Sequence, residues 1–276
     1  MNLSEYERAL LGEIEEWENA QFDVVPNDFI RAYDEWMTQS FSLIPEDIQE
    51  KFFKNLDQWI YYIHAAIQQS KPFEARIKRI IQSSQLYNEN ITYIQDLKQL
   101  PLPQLNYLAD QEVSAHRLYA LTQGGLSSSG NPLLFGLDFP ILAVINLRLV
   151  QLIANCYGYD TRNPYEMAIS LKVFHAATLP KRFQGSAWTR LISEIEGTEV
   201  AFFYEGDERM SDIRWLNQPL IHLLKNMVIL LFQKRKNKKV PLTSIVIGAT
   251  VNYQLTKNVS EFAKRFYQYR YLLEKK

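Results

Sequence analysis

Residues 139–166 read FPILAVINLRLVQLIANCYGYDTRNPYE, and this stretch holds a helix, its stop and the start of the next helix. From Phe139 to Tyr157 apolar residues dominate, and no glycine or second proline interrupts them after Pro140. Gly158 then stands where a helix ends most easily, because only glycine enters the left-handed conformation without a Cβ penalty. Asn163-Pro164 supplies an N-cap oxygen followed by a ring that presets φ for the first helical turn, and the pattern predicts a helix through Leu179. Residues 133–154 have the length of a membrane span. Asp138, Pro140, Asn146 and Arg148 within them point instead to a buried helix with a broken start. Asp138, two residues before Pro140, reads as the N-cap of that helix.

Working outward, the same signals recur in both directions. Ser4 and Glu7 have capping-box spacing ahead of Leu10, Leu11, Ile14 and Trp17, which predicts a helix over residues 6–20. Residues 29–37 read as a short helix, Pro45 opens a long one through Ile67, and Pro72 begins another with Ile77, Ile80 and Ile81 on one face. Residues 91–100 repeat the pattern until Pro101 and Pro103, and a helix over 104–122 follows. Further helices are predicted at 186–196, 219–232, 241–253 and 259–273. Residues 200–204 form one short β-like run with no convincing partner. The fold class is all-α: a compact multi-helix globular bundle with a central Gly/Ser-rich loop at residues 124–132. Residues 1–102 are expected to be an amphipathic helical region packed on a core of residues 103–276, the two forming one structural domain.

The chain has 276 residues, 47% apolar and 22% charged, enough to bury a substantial core. Cys156 is the one cysteine, which excludes an intrachain disulfide or a cysteine-based zinc site and suits a reducing compartment. The acidic, amphipathic N-terminus is unlike a secretory signal, so a cytoplasmic location is expected. Net charge is only −1, but its distribution is uneven. Residues 1–50 hold thirteen Asp or Glu against two Arg, or −11, and residues 218–276 hold twelve Lys or Arg against two Glu, or +10. Either the two ends pack together, or one of them meets a charged partner.

No stretch carries a complete catalytic signature. Gly125 and Gly130 have phosphate-loop spacing, but Asn131-Pro132 stands where Lys and Ser or Thr must contact phosphate and metal. His64, His116, His175 and His222 lie far apart and outside any metal-binding motif, so neither metal nor cofactor is expected. Glu112 and His116 share a helical face, and with Asp138 nearby they would make an acid–base site for a small-molecule hydrolase. A plain ion pair is the simpler reading. The acidic run from Glu194 to Glu208 suits either a divalent cation or a solvated loop. Ser127, Ser128 and Ser129 lack a nucleophile elbow. Residues 264–271 interleave Lys and Arg with aromatics, yet helical spacing and near-zero net charge argue against nucleic acid. More suggestive is the apolar helix over 220–232 followed by Lys234, Arg235, Lys236, Lys238 and Lys239. An anionic membrane surface suits that combination, at about 1 kcal/mol per basic residue.

From the glycine loop onward the chain resembles the EcsC family. The matching residues are Gly124, Gly125 and Gly130, then Asp138 and Pro140, then Arg148, then Tyr157, Gly158 and Asp160. A second block follows in the family's order: Pro241, Gly248, Ala249, Asn252, Ala263, Tyr267 and Arg270, with Ser244 where glycine is usual. The family takes its name from a product encoded beside an ABC transporter. The resemblance therefore implies a cytoplasmic protein associated with a membrane transport system. With the basic cluster, the reading is a non-enzymatic accessory protein, peripheral on the inner face of the membrane, that serves such a transporter or binds lipid or another apolar ligand.

Overall fold

A computed structural model describes residues 3–21, 29–68, 71–127, 135–197, 217–236 and 244–275. Among them are ten α-helices and one 3₁₀ helix, with no strand. In chain order these are α1 (Glu5–Gln21), α2 (Phe29–Ser42), α3 (Glu46–Gln68), α4 (Lys71–Gln85), the 3₁₀ helix (Ile94–Gln99), α5 (Leu102–Ser127), α6 (Phe135–Cys156), α7 (Pro164–Thr178), α8 (Lys181–Ile195), α9 (Asn217–Lys236) and α10 (Ser244–Lys275). The β-like run at 200–204 lies outside the described residues.

Helix starts follow local chemistry. Ser4 N–H donates to Glu7 Oε2 at 2.8 Å and Glu7 N–H to Ser4 Oγ at 3.2 Å, closing the capping box that opens α1. Asn163 Oδ1 accepts from Tyr165 N–H at 2.9 Å ahead of Pro164, so α7 starts where its sequence predicts. The predicted helix over 91–100 shortens to the 3₁₀ segment, whose entry is held by Asp96 accepting from Thr92 N–H at 2.9 Å and Tyr93 N–H at 2.7 Å.

Three expectations are corrected. α10 is one continuous helix of 32 residues where two were predicted. The polar run Asn252 to Asn258 reads as a break, but it contains neither glycine nor proline, and buried Leu255, Thr256 and Val259 keep the packed face intact through it. Gly124 and Gly125 belong to the last turns of α5 rather than to a loop, and residues 128–134, Gly130 included, lie outside the described residues. α6 begins at Phe135, which places Asp138 inside its first turn instead of at the N-cap, and Pro140 inside the helix.

α5 and α10 form the antiparallel centre of the fold. Gln268 Nε2 donates to Asn106 Oδ1 (2.8 Å), Lys264 pairs with Asp110 (2.6 Å) and Arg117 Nη2 donates to Ser260 Oγ (2.8 Å), which fixes the register. Extending that register places Gly124 and Gly125 opposite the α10 turn that holds Gly248 and Asn252. α6 lies against both central helices and is buried along most of its length, and α7 packs on α6, α9 and α10. α1 docks on α8 and α10, where Trp17, Trp188 and Phe262 stack edge to face with centroids 5.2, 5.9 and 5.6 Å apart. The uneven charge is partly resolved by the same docking: Glu7 pairs with Lys275 at 2.5 Å and Glu13 with Arg265 at 3.3 Å. Among the described residues no helix is long and apolar enough to cross a membrane.

Candidate functional site

The α6–α7 turn and the C-terminal third of α10 bring together a set of buried polar groups: Asn155, Asp160, Thr161, Gln268 and Arg270. α6 ends in a Schellman motif: Tyr159 N–H reaches Ala154 O at 3.0 Å, Gly158 N–H reaches Asn155 O at 3.0 Å, and Gly158 has φ +84°. A Cβ at Gly158 would stand 2.6 Å from Lys98 Cγ and 3.2 Å from Lys98 N, so glycine is needed here both for its conformation and for the approach of the 3₁₀ helix. Asn155 ties the turn together by donating to Gln151 O (2.7 Å) and Thr161 Oγ1 (3.0 Å) while accepting from Thr161 N–H (3.2 Å). Burial alone would raise the pKa of Asp160. Hydrogen bonds from Arg162 (2.6 and 2.8 Å) and Gln95 (3.2 Å) outweigh it and hold the carboxyl below its ordinary value.

Tyr159 fills the space above this turn. Its ring carries the Arg270 guanidinium at 4.0 Å and the Lys98 ammonium at 4.2 Å, and it lies 5.5 Å from the ring of Tyr267. Arg270 is buried and donates to both oxygens of Glu166, at 2.6 and 2.8 Å. Desolvation works against its charge, but that bidentate bond reverses the balance and raises its pKa above the ordinary arginine value. Lys98 completes the set by pairing with Glu274 at 2.5 Å. Beneath, Tyr157 donates to Asn106 Oδ1 at 2.5 Å, and Asn106 donates to Tyr6 at 2.9 Å.

Tyr157, Gly158, Asp160, Tyr267 and Arg270, read from two separate blocks of sequence, thus meet at one end of the molecule. Glu166, Lys98 and Asn106, which complete the arrangement, have no signal in the sequence, since their partners lie far away along the chain. Arg148 sits on α6 beyond this cluster, against Phe73 of α4. Asp138 and Pro140, near the start of α6, lie almost twenty residues before the α6–α7 turn, roughly 25–30 Å along a helix. Pro241, Lys238 and Lys239 lie outside the described residues, as do the side chains of Asp138, Lys234, Arg235 and Lys236.

The acid–base pair is differently arranged from the expected one. Glu112 is buried and bonded to Arg76 at 3.0 Å, yet burial still raises its pKa. His116 Nδ1 lies 2.9 Å from Glu112 O and 3.9 Å from its carboxylate, and burial lowers the His116 pKa, which favours the neutral ring. That is a histidine bonded to its own helix rather than one poised on a carboxylate. Among the described residues no three His, Cys, Asp or Glu side chains gather where they could hold a metal ion. The cations of residues 264–270 are also engaged within the chain: Lys264 with Asp110, Arg265 with Glu13 and Arg270 with Glu166.

A family model for the EcsC protein family matches residues 8–272. The chain belongs to the EcsC family. It is 25% identical over 212 residues to Protein EcsC of Bacillus subtilis (strain 168), covering 77% of this chain and 80% of that protein. It is also 24% identical over 243 residues to the uncharacterised protein YdbA of the same organism, covering 83% and 79%. No solved structure matches. The family match takes in α1 to α4 as well as the stretches in which the resemblance is legible.

Proposed function

We propose that this EcsC-family chain is a non-enzymatic accessory protein that attaches reversibly to the anionic inner face of the cell membrane and binds lipid or another amphiphile for an ABC-type transport system. The observation that carries this reading is the surface where α2 and α3 pack on α9. Leu220, Leu223, Leu224, Met227 and Ile229 of α9 are buried in the core, so these described apolar side chains of the helix are not available to a bilayer. Some on its neighbours are. Leu43 and Tyr61 are each 70% exposed, and Phe53 and Tyr62 are more than half uncovered or close to it. Lys225 of α9 lies 5.5 Å from the Phe41 ring and 5.7 Å from the Phe53 ring, next to this surface. The backbone of α9 then runs on to Lys234, Arg235 and Lys236, with Lys238 and Lys239 next in sequence. Amphipathic rings beside a basic segment suit the headgroup region, where rings take the boundary and cations meet anionic lipid.

Co-sedimentation tests it. The protein is expected to bind vesicles rich in anionic lipid, to bind neutral ones poorly, and to be released as the Debye length falls from about 10 Å at 0.1 M salt to about 3 Å at 1 M. Replacing Lys234, Arg235, Lys236, Lys238 and Lys239 with Gln should abolish binding without lowering the melting temperature. Equal binding by both proteins, or by neither at any lipid charge, would sink the membrane reading.

A further inference from the structure

Three arginines have their charge answered by a carboxylate: half-buried Arg76 by Glu112, exposed Arg162 by Asp160, and buried Arg270 by Glu166. Arg148 does not. It is 9% exposed, its Nη1 donates to the side-chain oxygen of Gln151 at 2.9 Å, and its Nη2 is enclosed without any hydrogen-bond partner. Among the described residues no carboxylate lies within ion-pair distance of it. One face of the guanidinium is covered by the Phe73 ring, 4.6 Å away. Phe73 is the third residue of α4, so the positive end of that helix dipole adjoins the guanidinium instead of opposing its charge.

An enclosed cation with no counter-charge is among the costliest arrangements a fold can hold. Burial lowers the Arg148 pKa to about 10, with no neighbouring charge acting the other way. Neither packing nor the turn chemistry of α6 requires arginine here: an unbranched apolar side chain would also lie along Phe73, and the hydrogen bond to Gln151 has a neutral acceptor. What a planar fork with an unfilled N–H edge suits is a planar or tetrahedral oxyanion.

We propose that Arg148 and the first turn of α4 form a binding site for an oxyanion, a phosphate or carboxylate group, whether free or at the head of an amphiphile. Because Nη2 is enclosed, occupancy requires a local shift of Phe73, a side chain that is only partly buried. The proposal uses none of the basic residues at 234–239 and does not depend on membrane attachment.

Thermal unfolding of the full chain tests this, with inorganic phosphate replacing chloride at matched ionic strength. A ligand that binds only the folded state raises the melting temperature, by roughly 2–5 °C for a chain of this size at about ten times its Kd, and continues to raise it with the logarithm of its concentration. Arg148→Met should lose that rise, and without phosphate it should melt at or above the wild-type temperature, since the unanswered charge has gone. Arg148→Lys keeps a charge but not the fork, and should need at least about fivefold more phosphate for an equal rise. The five-fold Gln variant at 234–239 should keep the wild-type rise even where it has lost vesicle binding, which separates this site from the membrane reading. Dihexanoyl phosphatidic acid in place of phosphate distinguishes the sources: an equal rise at a far lower concentration marks a lipid head, and equal or weaker action marks a free anion. No phosphate rise in the wild type, an undiminished rise in either Arg148 variant, or an Arg148→Met melting temperature far below wild type overturns the proposal.

Discussion

Arg270 on α10 and Arg148 on α6 are both buried and both stack on an aromatic ring, yet their surroundings are opposite. Arg270 has two carboxylate oxygens, at 2.6 and 2.8 Å, and its pKa rises; Arg148 has an amide oxygen and a ring, and its pKa falls. The first arrangement is complete within the chain. The second is complete only if something from outside joins it. Two arginines that look equivalent in sequence therefore separate into one that fastens the fold and one that is available to a ligand.

The largest expected effect is at the fastener. Removing one partner of a buried ion pair strands the other charge, so Arg270→Met or Glu166→Gln should each cost about 3–5 kcal/mol in urea unfolding. The double variant should cost less than the sum, because it strands nothing. Arg148→Met should lie near zero or be stabilising in the same assay. If both arginines cost the same to remove, the contrast between them fails.

A smaller effect is expected at the turn beneath them. Gly158→Ala must hold a Cβ in the left-handed region, at about 1–2 kcal/mol, and crowds Lys98, at a further 1–3 kcal/mol. Adding Lys98→Ala removes the Cγ that stands 2.6 Å from that Cβ, although it also gives up the exposed pair with Glu274. The double variant should therefore recover the crowding part and leave the conformational part. No recovery would mean that Lys98 already yields, and that Gly158 is held by its φ alone.

What was legible in the sequence was local. Ser4 and Glu7, Gly158 and Asn163 act within a few residues of themselves, so spacing alone located the start of α1, the end of α6 and the start of α7. Lys98, Asn106 and Glu166 act across 176, 162 and 104 residues, on Glu274, Gln268 and Arg270, and no periodicity encodes a partner that far away. The two helices expected within residues 241–273 were misread because a polar run looks like a loop when its neighbours are unknown. In the fold the same run is part of one helix, with Leu255 and Thr256 buried and Lys257 exposed. The aromatic surface of α2 and α3 was hidden for a related reason, since at helical spacing a ring that faces solvent looks like one that faces the core.

The starts of α6 and α7 differ, although the sequence places a short polar residue near a proline at each. Asn163 does cap: its Oδ1 accepts from Tyr165 N–H at 2.9 Å, and Pro164 follows at the first helical position. Asp138 sits four residues into α6, where a carboxylate meets the helix dipole but no longer occupies the cap. Asn163→Ala should therefore cost about 0.5–2 kcal/mol. Asp138→Ala should cost only the dipole contribution, about 0.3–1 kcal/mol, and that loss should shrink at high salt. Asp138→Asn keeps the shape and loses the charge, so it should behave like the Ala variant here. At a true N-cap it would be almost silent, since Asn caps as well as Asp. Unfolding of the three variants at 0.05 and 1 M NaCl separates the cases. A silent Asp138→Asn beside a costly, salt-independent Asp138→Ala would return Asp138 to the cap and shorten α6 by its first turn.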